Sequence, residues 1–137
     1  MADERGPHLR HSVKRMDSTF FVLGCLSALL AVAAGAFGAH SLRNLVPADV
    51  LPTFETGARY QMYHALGLIV VSFAAVRWPG TATLLAGWLF VAGTILFSGS
   101  LYLLVITGIR WLGAITPLGG VAFILGWAAL AFAAWRG

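Results

Sequence analysis

Four long blocks of apolar residues dominate this chain and limit what it can fold into. They cover residues 19–39, 60–76, 81–107 and 111–135. A helix that crosses the ~30 Å hydrocarbon core of a bilayer needs about 20 mostly apolar residues, and each block meets or approaches that length. In lipid every backbone N–H and C=O must be satisfied within the segment, so such blocks fold as helices. Composition agrees: 59% of the 137 residues are hydrophobic and only 10% are charged, too much apolar surface for a soluble core of this size to hide. The expected fold is an all-α integral membrane domain, a four-transmembrane-helix bundle over residues 17–137, preceded by a basic, disordered tail over residues 1–16. Pro79-Gly80 breaks the chain between the second and third spans, and Gly108 and Arg110 mark the turn before the fourth. These two loops are so short that the helices they join must pack antiparallel.

The formal net charge is +4, yet the basic residues do not form the single patch that nucleic acid requires. They flank the apolar blocks instead, so a nucleic-acid partner is excluded and the bilayer is the expected one. Their distribution sets the orientation, because Lys and Arg gather on the cytoplasmic side. Arg5, Arg10, Lys14, Arg15, Arg77 and Arg136 lie on the side of the two termini and the second loop, and Arg43, Arg59 and Arg110 on the other. Six against three places both termini in the cytoplasm, in a cell (inner) membrane. Trp78 and Trp135 would then mark the inner interface, and Trp111, Tyr60 and Tyr63 the outer one. A rival reading is a signal peptide, in which Lys14-Arg15 and the first block precede the small residues Ala33-Ala34-Gly35-Ala36. That block is long enough to span, which favours a retained helix. Met16 is an alternative start of translation, since every recognisable feature follows it.

The first loop, residues 41–59, is punctuated by Pro47 and Pro52. A helix is expected from Thr53, reading as a short interfacial helix, with Leu51, Phe54 and Ala58 facing the bilayer or the bundle. Glu55 and Arg59 stand at i, i+4 and are expected to pair. Two spans carry small residues at helical spacing: Ser27, Ala31, Gly35 and Ala39 in the first, and Gly119, Ala122, Gly126, Ala129 and Ala133 in the fourth. Small residues let helix backbones approach closely where lipid supplies no hydrophobic drive. The neighbours they await belong to this chain or to a second copy. Cys25 is the single cysteine; it has no internal disulfide partner and reads as a small packing residue.

Four ordered motifs carry a family likeness. They are Gly35-Ala36-Phe37-Gly38-Ala39-His40; Tyr60-Gln61 with His64; Gly93-Thr94 followed by Leu96-Phe97-Ser98-Gly99-Ser100-Leu101-Tyr102; and Thr116-Pro117 with Gly119-Gly120 and Gly126-Trp127. From about Met16 to the end the chain resembles the bacterial YgdD-like membrane family, defined by domain of unknown function 423 and related to the eukaryotic transmembrane protein 256. The resemblance implies a four-helix inner-membrane protein of unassigned activity, and the segment before Met16 lies outside it.

Placed on the four spans, the polar motif residues converge on the outer side of the bundle. Tyr60, Gln61, His64, Ser98, Ser100, Tyr102 and Thr116 form a candidate cluster, with His40 at its rim. Polar groups at membrane depth are costly and face the interior or a partner. One reading has them satisfy one another, with His64 as the hub; the other makes them a small outer-facing pocket, opened by a bend at Thr116-Pro117. His40 and His64 could in principle hold a haem as two axial ligands, but lone histidines argue weakly, so no cofactor is assigned. No zinc-type cluster is present, because Cys25 is isolated. Ser98 and Ser100 lack a nucleophile elbow and no acid lies within a span, which argues against an enzyme. The missing acids also weaken a small oligomeric transporter, since proton or cation coupling needs them. The favoured expectation is an accessory or scaffold component, packing as a homo-oligomer or within a larger membrane complex.

Overall fold

The computed structural model describes residues 7–137. Its long helices are α1 (Pro7–His40), α2 (Leu51–Arg77), α3 (Thr81–Thr94), α4 (Ser100–Thr107) and α5 (Thr116–Arg136). A π-helical turn, Ile95–Gly99, joins α3 and α4 into one rod, and no strand occurs among the described residues. Three stretches are long and apolar enough to cross a membrane: Arg15–Asn44, Thr81–Thr107 and Arg110–Arg136. The 27-residue α2 is long enough too, but it is more polar than α3, α4 and α5 and is not among the three.

The reason lies in where α2 sits. It packs along α1 on one side and against α3, α4 and α5 on the other. Twelve of its residues are buried, Gln61, His64 and Ser72 among them. A helix packed between neighbours turns those sides to protein, where polar residues have bonding partners and need not be apolar; Tyr63, Leu66, Val70, Phe73 and Val76 stay exposed on its remaining face. Around it, α3 lies against α5, and the main core gathers Phe20, Leu68, Val71, Phe90 and Phe123.

Several boundaries differ from expectation. Helix α1 starts at Pro7, so residues 7–16 continue the helix rather than forming the expected disordered tail; residues 1–6 lie outside the described residues. Extending an existing helix costs little compared with nucleating one, and the apolar block behind these residues supplies the nucleus. The second long helix starts at Leu51 rather than at Tyr60, the expected start of the second span. The expected interfacial helix is its first turns: Phe54 and Ala58 are buried, and Phe54 packs on Gly38 and Tyr102. Tyr60 and Tyr63 consequently lie well inside α2, about 13 Å or more from its N-terminal end at 1.5 Å per residue. The rest of the loop is two short 3₁₀ turns, Leu42–Asn44 and Ala48–Val50. Glu55 and Arg59 are both exposed and do not pair with each other, in keeping with the small net gain of such pairs in water. Pro117 occupies the first turn of α5, after a 3₁₀ turn Arg110–Ala114. No intrahelical N–H is needed there, so Pro117 starts the helix rather than bending it. Gly108, at φ 71°, ends α4 by donating its N–H to the Leu104 carbonyl, the left-handed cap that glycine adopts without strain.

Candidate functional site

The expected polar cluster resolves into hydrogen bonds that tie different helices together. Gln61 is buried on α2, where its amide Nε2 donates to the Ser27 carbonyl of α1 at 3.1 Å. Its Oε1 accepts from the Tyr102 hydroxyl of α4 at 2.7 Å. Ser98, in the π turn and 1% exposed, donates to the Gly57 carbonyl of α2 at 2.7 Å. Ser100 donates to the Phe97 carbonyl at 3.0 Å and lies 2.7 Å from the Thr116 hydroxyl. With its own proton committed, Ser100 accepts from Thr116, so α4 is fastened to the start of α5.

His64 meets a different set of partners. Its Nδ1 is 2.8 Å from the Tyr60 carbonyl, and its Nε2 accepts the indole N–H of Trp127 at 3.1 Å. These contacts fix one neutral tautomer, with the proton on Nδ1. The ring stacks on Phe123, with centroids 3.4 Å apart and planes 7° from parallel. The neighbouring helix that holds His64 is therefore α5, through an indole and a phenyl ring rather than through a hydroxyl. Tyr60 is partly exposed, with its ring tilted against Phe97 and stacked on Phe123. With both ring nitrogens engaged, His64 has no lone pair to offer a haem iron, and His40 stands exposed at the end of α1. Among the described residues no three of His, Cys, Asp and Glu gather as a metal site.

The two small-residue stripes fare differently. In α5, Gly119, Ala122 and Gly126 are buried, with Ala129 and Ala133 partly so. A Cβ on Gly119 would lie 2.4 Å from the Phe97 backbone nitrogen, and one on Gly126 would lie 2.6 Å from the Phe90 ring. In α1 the face against α2 runs through Gly24, Ala31 and Gly38, with Ser27 partly buried between them. Gly35 and Ala39 are exposed, and Gly35 has nothing within 4 Å. A strict i+4 repeat gains about 40° per step on a helix of 3.6 residues per turn, so it drifts off any straight contact line. Alternating steps of three and four stay on it.

Bonding partners that the sequence pattern did not assign complete the network. Trp127 was visible only as a motif residue, although an indole N–H that cannot reach water signals a need for an acceptor. The Gly57 and Ser27 carbonyls and the Phe123 ring carry no such signal.

Comparison with known proteins identifies the kind of chain this is. The family model described as "Protein of unknown function (DUF423)" matches residues 34–120. The chain belongs to the DUF423 family. The "UPF0382 membrane protein YwdK" of Bacillus subtilis is 55% identical over 116 residues, covering 84% of this chain and 94% of that protein. A Staphylococcus aureus relative named "UPF0382 membrane protein SAB0533" is 47% identical over 120 residues, covering 85% and 95%. The "UPF0382 membrane protein" of Haemophilus influenzae is 38% identical over 122 residues, covering 88% and 97%. No solved structure matches. As a DUF423 protein the chain is a membrane protein of unknown function, and the match spans the C-terminal end of α1, all of α2, α3 and α4, and the start of α5.

Proposed function

We propose that this DUF423 protein is a four-span component of the cell (inner) membrane, with both termini in the cytoplasm. It acts as an accessory or scaffold subunit that packs against other membrane helices and carries out no catalysis of its own. The observation behind this reading is the open face of α1 at Gly35. The other glycines of α1, α2 and α3, namely Gly24, Gly38, Gly57, Gly67, Gly87 and Gly93, each lie against a neighbouring side chain or backbone. Gly35 meets nothing within 4 Å, and beside it Val32, Ala36 and Ala39 are exposed. Small residues on a helix face allow the close approach by which membrane helices associate. The cluster hydroxyls support a structural role as well, because Ser98, Ser100, Tyr102 and Thr116 are engaged in bonds within the bundle.

Purification in a mild detergent, followed by mass spectrometry of what accompanies the protein, tests the proposal. Wild type is expected to carry a stable membrane partner or a second copy, and Gly35→Leu to lose it while keeping its own thermal stability. A wild-type protein recovered alone and monomeric under crosslinking overturns the reading.

A further inference from the structure

Among the described residues, two buried hydroxyls stand apart. Thr19, Thr56, Ser72 and Thr107 return to carbonyls three or four residues back on their own helices, the default for a hydroxyl on a helix without another partner. Ser27 Oγ and Thr94 Oγ1 are buried and have no partner at all. Burial of an unpaired hydroxyl costs roughly 1–3 kcal/mol, so two together call for an explanation.

Both residues line the same cavity, of about 330 Å³, with Ser27 on the α1 wall and Thr94 on the α3 wall. Leu26, Leu30, Val91 and Ile95 make up much of the remaining lining, and no charged side chain contributes. Leu26, Leu30 and Ile95 are also exposed on the outside, so the cavity opens sideways between α1 and α3. The Gln61 amide beside it already holds the Ser27 carbonyl and the Tyr102 hydroxyl. The unused donors on this wall are therefore the two hydroxyls and the second N–H of the Gln61 amide.

Depth selects the occupant. Thr94 stands midway along the apolar stretch Thr81–Thr107, and Ser27 near the middle of Arg15–Asn44. Both lie close to the centre of a core ~30 Å thick. The ester carbonyls of a phospholipid are held at the interface by its headgroup and do not reach that depth. A charged molecule has no counter-charge there. The volume falls at the low end of small-molecule pockets, roughly 300–1,000 Å³, room for a ring system and the start of a tail.

We propose that this cavity binds an uncharged lipophile that dissolves wholly in the hydrocarbon core and presents a carbonyl oxygen, as the ring of an isoprenoid quinone does. Ser27 and Thr94 donate to that oxygen, and Leu26, Leu30, Val91 and Ile95 enclose the ring and the first part of the tail. This site does not depend on the packing role of Gly35, which lies on the exposed side of the same helix.

The test uses the full chain in nanodiscs of phosphatidylethanolamine and phosphatidylglycerol, with decylbenzoquinone as the probe and native mass spectrometry as the readout. Wild type is expected to retain the quinone, and the double variant Ser27→Ala, Thr94→Val to bind it about tenfold more weakly, the combined effect of two neutral hydrogen bonds. Without probe, that variant should unfold at the same temperature as wild type or higher, because it buries fewer unpaired hydroxyls. Val91→Phe, which fills the cavity, should also expel the probe. Equal retention by wild type and the double variant overturns the proposal. So does retention of phosphatidylglycerol in place of the quinone, and so does a cavity that holds only water.

Discussion

At Gln61 one side-chain amide joins three helices, through the Ser27 carbonyl of α1 and the Tyr102 hydroxyl of α4. Such a bond gains little net energy when made, but a buried partner left alone loses its full solvation. Tyr102→Phe keeps the ring against Phe54 and leaves Gln61 Oε1 without its donor, so it is expected to destabilise the bundle by about 1–3 kcal/mol. Reversible unfolding in mixed detergent micelles would measure this, and an unchanged midpoint would show that Oε1 finds another donor. Gln61 and Tyr102 were both legible as candidates, because a polar side chain in an apolar block must have a partner. Their pairing was not, since residues 41 positions apart meet only through the packing of α2 on α4. His64 illustrates the same limit: its burial could be anticipated, but not that its partners would be Trp127 and Phe123.

The helical elements are shaped by one irregular turn. Along the third rod the buried positions include Thr83, Ala86, Phe90 and Gly93, then Ser98, Leu101 and Val105. Steps of three and four hold throughout except from Gly93 to Ser98, a step of five that the π turn Ile95–Gly99 accommodates. One extra residue in a turn rotates everything after it by about 100°, which brings Ser98 onto the Gly57 carbonyl and Ser100 onto Thr116. Against this turn lies Gly119, where an added Cβ would strike the Phe97 backbone at 2.4 Å; at the adjacent Gly120 the nearest atom is 3.9 Å away. Gly119→Ala is therefore expected to cost about 1–3 kcal/mol through overpacking, while Gly120→Ala is neutral or gains up to about 1 kcal/mol of helix propensity. Thermal unfolding of the pair in one detergent makes the comparison, and equal midpoints would mean that α5 is free to move away from the π turn.

For the whole molecule the outcome hinges on α2. Three stretches qualify as spans by length and apolarity, and three crossings alone would leave the termini on opposite sides. If the central helix crosses as well, sheltered by its neighbours, the termini lie together, on the cytoplasmic side by the distribution of Arg and Lys. Reporter fusions at the two ends are expected to report the same, cytoplasmic side, and a reporter in residues 41–50 the opposite one. Termini on opposite faces would show that α2 does not cross.

The sequence by itself determined the helical, membrane-bound character of the chain, the turns at Pro79-Gly80 and Gly108, and the family to which it belongs. Each follows from local composition: long apolar blocks admit one backbone solution in lipid, and proline and glycine punctuate it wherever they fall. The α5 seam was likewise legible, since steps of three and four fix a helix face whatever the partner. Tertiary structure alone decided which polar groups meet, that α2 is the central helix, that α1 turns Gly24, Ala31 and Gly38 rather than Gly35 toward it, and that Ser27 and Thr94 share a cavity. These depend on how one helix is rotated against another, a quantity set by the sum of many small packing contacts. No single run of residues encodes it.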